Sequence, residues 1–188
     1  MYDYQRLYDK YYPTGSRVRN ILERHSRSVA DLAARINARL GLGFDPEAVE
    51  AAAMLHDIGI FMTDADGIDC HGTEKYIRHG ILGADLLRAE GAPEWIARVA
   101  ERHTGAGISS NDIVEMNLPL PLDRVLMPET LLERLICYAD KFYSKSGDMS
   151  MKSIERVRAS MARHSQSTAE RFELLNDEFG AAIQELGM

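Results

Sequence analysis

Cysteine is scarce in this 188-residue sequence, which has only Cys70 and Cys137 and no Cys-x-x-Cys pair. A disulfide framework and a thiolate zinc site are therefore disfavoured, because both need more cysteines at closer spacing. The sequence also lacks an apolar run long enough to span a membrane, and residues 1–5 lack the basic and apolar regions of a signal peptide. These absences predict a cytoplasmic protein with no membrane partner.

Positive charge is also limited. The 22 Lys and Arg residues are outnumbered by 29 Asp and Glu residues, which gives a formal net charge of −7. Extended nucleic acid binds to basic surfaces, so this class of partner is disfavoured. A small phosphorylated molecule remains compatible, because bound metal ions can supply local positive charge.

No segment shows a convincing strand pattern. Instead, apolar residues recur every three or four positions, which predicts an all-α fold. Residues 63–72 and 108–128 are predicted to be irregular. The predicted helices cover residues 3–11, 18–40, 46–58, 74–90, 93–103 and 130–144, with one or two more within 151–187.

Several ionisable side chains lie on the apolar faces of these predicted helices. One such residue alone is more often a hydrogen-bonded core residue. Six in one small domain would be costly to bury unless they are paired or bind a cation, and helical bundles hold metal ions in this way. The candidate metal ligands are His25, His56, Asp57, His79, His103 and Asp140.

The types of donor indicate which metals would fit. Four imidazoles and two carboxylates suit divalent transition metals such as Fe, Mn, Co, Ni or Zn, and they suit calcium or magnesium alone poorly. Six ligands, with a carboxylate able to bridge, favour two ions over one. Two such ions can lower the pKa of a bound water and stabilise charge on a phosphoryl group.

The motifs around these residues resemble those of a known family. His25, the doublet His56-Asp57 within Leu-His-Asp-Ile-Gly, and Asp140 within Tyr-Ala-Asp-Lys are similar to the H…HD…D pattern of the HD-domain metal-dependent phosphohydrolases. The resemblance extends over about residues 16–147. It implies an HD-domain helical bundle over residues 1–150.

Two further motifs resemble those of family members with two metal ions. They are His79-Gly80-x-x-Gly83-Ala84 and Glu101-Arg102-His103-Thr104-Gly105. In such relatives the four histidines and two aspartates bind the metals. The resemblance therefore assigns the bridging role to Asp57.

Within the family, the chain is similar to a small stand-alone HDIG group of unassigned substrate. Its ligand order is also similar to that of bacterial symmetrical diadenosine tetraphosphate hydrolases, although segment 108–128 is longer than theirs. Gly105-Ala106-Gly107 stands where cyclic-di-GMP phosphodiesterases have Gly-Tyr-Pro. The chain also leaves no room for the synthetase domain of stringent-response enzymes.

The resemblance implies hydrolysis of a small phosphoester or nucleotide by a hydroxide activated at a binuclear metal centre. Asp57 and Lys141 are the candidate catalytic residues, and we expect Lys141 to reach a substrate phosphate. His71 is more consistent with a surface loop, and His164 has no assigned role. Residues 151–188 are expected to form a C-terminal helical extension packed on the same domain.

The same residues are compatible with two other functions. A mixed-valent di-iron oxygenase of the same fold would use the same ligands. A nucleotide-binding protein could also keep the metals without turnover. The C-terminal helices are compatible with a homodimer and equally with an intramolecular lid.

Overall fold

Helices account for most of residues 2–185, the part of the chain that this computed structural model describes. This confirms the predicted all-α fold. The helices are α1 (Tyr4–Tyr11), α2 (Arg17–Leu40), α3 (Pro46–Leu55), α4 (His79–Ala89), α5 (Glu94–Arg102), α6 (Ser110–Glu115), α7 (Leu131–Asp140), α8 (Ile154–His164) and α9 (Gln166–Glu185).

Capping residues explain several of the helix ends. Gly41 adopts a left-handed conformation and ends α2, as glycine commonly does. The Asp45 side chain accepts a hydrogen bond at the start of α3, and Pro46 occupies the first helical position. Thr130 and Glu133 form a capping box at the start of α7.

The segment between α3 and α4 differs from the prediction. It contains three short strands, β1 (Thr63–Ala65), β2 (Cys70–His71) and β3 (Glu74–Lys75), in the order β2-β1-β3. β1 pairs antiparallel with β2 and parallel with β3. Strands of two or three residues are too short to show an alternating pattern in the sequence. The predicted start of a helix at residue 74 is therefore wrong, and α4 begins at His79.

Three other elements differ from the predicted ones. Segment 108–128 is not wholly irregular, because Ser109 and Asp112 form a capping box that starts α6. α7 ends at Asp140 rather than near residue 144. α3 ends at Leu55, so the His-Asp doublet occupies the turn that follows it.

The last helix contributes to the main core. Phe172 and Phe179 of α9 are fully buried, and their rings pack against the ring of Tyr138 in α7.

The division into residues 1–150 and 151–188 stays a prediction. Residues 186–187, at the end of the predicted C-terminal helices, lie outside the described residues. None of the helices within residues 2–185 has the length and apolar character needed to cross a membrane.

Candidate metal centre

The six side chains predicted as metal ligands come together in the interior of the bundle, and all six are buried. Each arrives from a helix or from a helix end. They are His25 in the middle of α2, His56 and Asp57 in the turn after α3, His79 at the start of α4, His103 directly after α5, and Asp140 at the end of α7.

Their donor atoms form two groups that share Asp57. The first group is His25, His56, Asp57 and Asp140, and the second is Asp57, His79 and His103. Within each group the donor atoms lie within 4.8 Å of one another. Either group could hold a divalent metal ion, because imidazole and carboxylate are common transition-metal ligands.

The two carboxylate oxygens of Asp57 are divided between the groups. Oδ2 lies 3.2 Å from Nε2 of His25 and 3.0 Å from Nε2 of His56. Oδ1 lies 3.4 Å from Nε2 of His79 and 3.3 Å from Nε2 of His103. A carboxylate in this position can bridge two ions.

The pair formed by His79 and His103 favours a cation. Each Nδ1 lies 2.7 to 2.8 Å from a backbone carbonyl oxygen, of Tyr76 and Ala100 respectively, which assigns the ring proton to Nδ1. The two Nε2 atoms then carry lone pairs and face each other at 3.0 Å. Burial lowers the pKa of both rings, that of His79 to about 3, so both are neutral. A cation that both atoms bind would remove the repulsion between the lone pairs.

The other histidine pair lies in a strongly negative environment. Nδ1 of His56 is 2.6 Å from the carbonyl oxygen of Ala53, and its Nε2 is 3.3 Å from Nε2 of His25. Burial alone would lower the pKa of His56, but the carboxylates of Asp57 and Asp140 outweigh burial and raise it to about 9. The carboxylates that attract a proton here would also attract a metal cation.

Asp57 itself gives the clearest test of whether a metal fits. Its side chain is fully buried, and although Nζ of Lys145 lies 2.6 Å from Oδ2, neither carboxylate oxygen has a partner with hydrogen-bond geometry. Burial would raise the pKa of Asp57, but the charges of His56 and Lys145 hold it well below its usual value. A buried, ionised carboxylate without hydrogen bonds is costly unless cations neutralise it. The donor set therefore fits divalent metal ions.

Tyr8 of α1 and Tyr12, directly after that helix, hold the turn that carries the doublet. The hydroxyl of Tyr8 donates a hydrogen bond to the carbonyl oxygen of Met54, and that of Tyr12 donates to the carbonyl oxygen of Ile58 at 2.7 Å. These carbonyls lie on either side of the doublet. Sequence reasoning missed this role, because tyrosines on an amphipathic helix look like ordinary packing residues.

Lys141 and Lys145 place two ammonium groups at the site. Nζ of Lys141 lies 2.7 Å from Oδ2 of Asp140 and donates to the carbonyl oxygen of His103 at 3.0 Å, so it contacts two candidate ligand residues. Nζ of Lys145 lies 2.6 Å from Oδ2 of Asp57. The sequence offered only a weak indication of Lys145, a basic residue in the loop after the helix that carries Asp140.

Two cavities open beside the cluster, with volumes of about 440 and 290 Å³. Asp140 and both lysines line each of them, so the candidate metal centre is reached from both. The smaller cavity also has apolar walls that include Ile108 and Leu118. The residues common to both cavities are Tyr76, Gly105, Asp140, Lys141, Lys145 and His164.

The two remaining histidines lie outside both ligand groups. His71 is exposed, and its ring lies near the carboxylates of Asp66 and Asp69. His164, at the end of α8, lines both cavities. Periodicity could not indicate this position, because it depends on how the C-terminal helices fold back over the site.

A model of a known protein family matches the part of the chain that contains the candidate metal centre. The model described as the HD domain matches residues 22–144, a range that contains all six candidate ligands. An uncharacterized protein of Methanocaldococcus jannaschii is 32% identical over 168 residues, which cover 88% of this chain and 90% of that protein.

Two longer relatives are tRNA (cytidine(56)-2'-O)-methyltransferases. The one from Thermoplasma volcanium is 33% identical over 85% of this chain, and the one from Picrophilus torridus is 32% identical over 72%. The matched segments make up 42% and 35% of those proteins, so this chain spans less than half of their length. No solved structure matches the chain.

Proposed function

The chain belongs to the HD-domain family, and from that premise we propose that it is a metal-dependent phosphohydrolase. Its substrate would be a small phosphoester or a nucleotide. Its metal centre would hold two divalent transition-metal ions, from the set Fe, Mn, Co, Ni and Zn. Two of the relatives are named methyltransferases, but each of those proteins is more than twice as long as the segment that matches this chain.

The shared position of Asp57 is the observation that carries this proposal. One oxygen faces His25 and His56, and the other faces His79 and His103. A single ion needs only one of these groups, whereas two neighbouring ions would use both and share the carboxylate between them. When bound, two such ions activate water for attack on phosphorus and stabilise the charge that develops on the phosphoryl oxygens.

The protein groups around the centre are suited to an anionic substrate. Lys141 and Lys145 line both cavities, so a phosphate entering either cavity meets positive charge. The sequence predicted that Lys141 reaches the substrate phosphate; because its ammonium contacts Asp140 and the backbone of His103, we propose instead that it is a positioning residue that orients Asp140. Its side chain is 7% exposed, which fits a fixed group.

A screen for phosphate release tests the proposal. Protein loaded separately with each candidate metal would be incubated with nucleotides, sugar phosphates and phosphodiesters. We expect release from at least one class, and Asp57→Asn should reduce it by about a thousandfold or more, because it removes the charge shared by both groups. His71→Ala, an exposed histidine outside both groups, is the matched control and should keep full activity.

Dioxygen consumption by the iron-loaded protein would be measured in parallel. Phosphate release that depends on Asp57, without dioxygen uptake, would support the hydrolase. Dioxygen uptake without phosphate release would instead support the di-iron oxygenase, for which the same ligands serve. Binding of nucleotides without either reaction would indicate a protein that keeps the fold as a binding module.

A further inference from the structure

The ammonium of Lys145 pairs with Asp57, a contact that the proposed hydrolase does not explain. We propose that Lys145 is the phosphate-binding residue, and that its ammonium pairs with Asp57 in the metal-free protein and with the substrate phosphate in the metal-loaded protein. This inference rests on the proposed function, because it assigns the phosphate subsite of the same centre.

The position of Lys145 joins the metal centre to the cavities. Its ammonium lies 2.6 Å from Oδ2 of Asp57, and its side chain is only 13% exposed. The ammonium also lies 5.9 Å from the centre of the Tyr76 ring. The same side chain lines both cavities, so a short movement of its end would bring the ammonium to a ligand there.

The neighbouring lysines are held differently. Lys141 contacts Asp140 and the His103 carbonyl. The ammonium of Lys152 donates to the backbone carbonyls of Lys141 and Tyr143, at 2.9 and 3.3 Å, and so ties the loop after α7. Both therefore have structural acceptors on the backbone, whereas the partner of Lys145 is the carboxylate that the metals would share.

Electrostatics explains why Lys145 would exchange Asp57 for a phosphate. Oδ2 of Asp57 faces His25 and His56, so a metal in the first group would neutralise the oxygen that attracts Lys145. The ammonium and the metal would also repel each other at this distance in a buried site. A lysine side chain has a long flexible stem, and its ammonium is a common phosphate ligand. The freed ammonium would then find its strongest partner in a phosphate placed in the cavity.

Binding measurements on Lys145→Met and Lys145→Arg test this inference without an activity assay. Mn²⁺ would be titrated into chelator-treated protein, and inorganic phosphate would be titrated into the Mn²⁺-loaded protein, both by calorimetry. Lys75→Met is the matched control. Lys75 is an exposed lysine of β3, so this substitution removes the same charge at a position outside the cavities. Thermal unfolding of each variant would check that it is folded.

We expect Lys145→Met to bind Mn²⁺ more tightly and phosphate more weakly than the wild-type protein, each by about tenfold or more. Lys145→Arg keeps the charge and should stay within about threefold for phosphate, and Lys75→Met should match the wild type. Unchanged or weaker Mn²⁺ binding by Lys145→Met, or unchanged phosphate binding, would overturn the inference. Failure of the wild-type protein itself to bind Mn²⁺ or phosphate would instead contradict the proposed function.

Discussion

Glu133 shows how one buried carboxylate can hold two ligand-bearing helices in place. Its side chain is 2% exposed and accepts hydrogen bonds from the backbone N–H of Glu129 and from Nη1 of Arg102, at 2.7 and 3.0 Å. Arg102 directly precedes His103, and Glu133 lies in the helix that ends at Asp140. The contact therefore fixes the distance between the elements that carry these two candidate ligands.

The stability that Glu133 provides should depend on pH. Burial would raise its pKa, but the N–H of Glu129 and the guanidinium of Arg102 outweigh burial and lower it. A lowered pKa in the folded state means that the stabilisation is present above the ordinary carboxyl pKa of about 4.3 and is lost as the pH falls through the folded pKa. We expect Glu133→Gln to cost about 2 kcal/mol at pH 7 and much less at acid pH, measured by urea unfolding of the metal-free protein.

Glu129→Gln provides the comparison. Glu129 also pairs with Arg102, but its side chain is 56% exposed, and exposed ion pairs contribute little. Its loss should change the free energy of unfolding by about 0.5 kcal/mol or less. An equal loss in the free energy of unfolding for the two variants, or a loss for Glu133→Gln that does not vary with pH, would contradict this prediction.

For individual residues, the sequence was sufficient to predict which side chains face the core wherever apolar residues recur at helical spacing. His25 and His103 could be predicted to face the core because their apolar neighbours recur at helical spacing. Tyr12 and Lys145 could not be predicted to reach the site. Their contacts depend on how α1 and the loop after α7 cross other elements, and local spacing does not contain that information.

At the scale of elements, the contact between the turn after α3 and the start of α4 sets the position of His79. Gly59 ends this turn with a φ of −86°, an ordinary helical value that does not itself require glycine. A Cβ at this position would overlap the backbone carbonyl oxygen of His79 and the backbone nitrogen of Gly83. Gly59 is therefore required for close approach of two backbones rather than for an unusual backbone angle.

Replacing this glycine should separate the two elements. We expect Gly59→Ala to lower the free energy of unfolding by about 3 kcal/mol, because the methyl group meets backbone atoms that cannot rotate away. It should also weaken metal binding, since α4 would carry His79 away from Asp57. Chemical unfolding and metal titration of the same preparation measure both effects.

Gly67→Ala is the matched variant for this prediction. A Cβ there meets no atom within 4 Å, so the change should stay within about 0.5 kcal/mol. If Gly59→Ala were as stable as Gly67→Ala, the close contact would not hold α4 in place.

Helix ends and short strands limited what could be predicted at this scale. The caps Asp45 and Thr130 mark their helices because both are side-chain acceptors placed before apolar periodic segments. β3 is paired with β1, and the turn at Tyr76–Arg78 follows β3 directly. Such pairing is a tertiary contact, so the sequence pattern extended α4 too far toward its N-terminus.

At the scale of the whole molecule, the C-terminal helices share the core of the region matched by the family model. Phe172 stacks on Tyr138 with ring centres 5.7 Å apart, and both are buried. The family model ends at residue 144. We therefore predict that α9 and the HD domain unfold together.

Phe172→Ala tests this prediction. Removing a fully buried phenylalanine from a core should cost about 3 to 5 kcal/mol and lower the melting temperature of the metal-free protein by about 10 °C. The unfolding should remain a single transition by circular dichroism and by calorimetry. The destabilisation caused by Phe172→Ala should extend to the metal centre, because Tyr138, which packs against Phe172, lies two residues before Asp140.

Leu174→Ala separates core packing from helix propensity in the same helix. Leu174 is 69% exposed, so its loss should leave the melting temperature almost unchanged. Two separate transitions, or a melting temperature of Phe172→Ala as little changed as that of Leu174→Ala, would contradict the prediction that α9 and the HD domain unfold together.

We propose that Asp57 is shared by two metal ions, and the metal content of the reconstituted protein shows whether two ions depend on this one carboxylate. Protein reconstituted with Fe, Mn or Co would be analysed by inductively coupled plasma mass spectrometry, beside Asp57→Ala and the control His71→Ala. We predict about two transition-metal ions per chain in the wild-type and control proteins and almost none in Asp57→Ala. An unchanged metal content in Asp57→Ala, or a single ion or none in the reconstituted wild-type protein, would contradict the account.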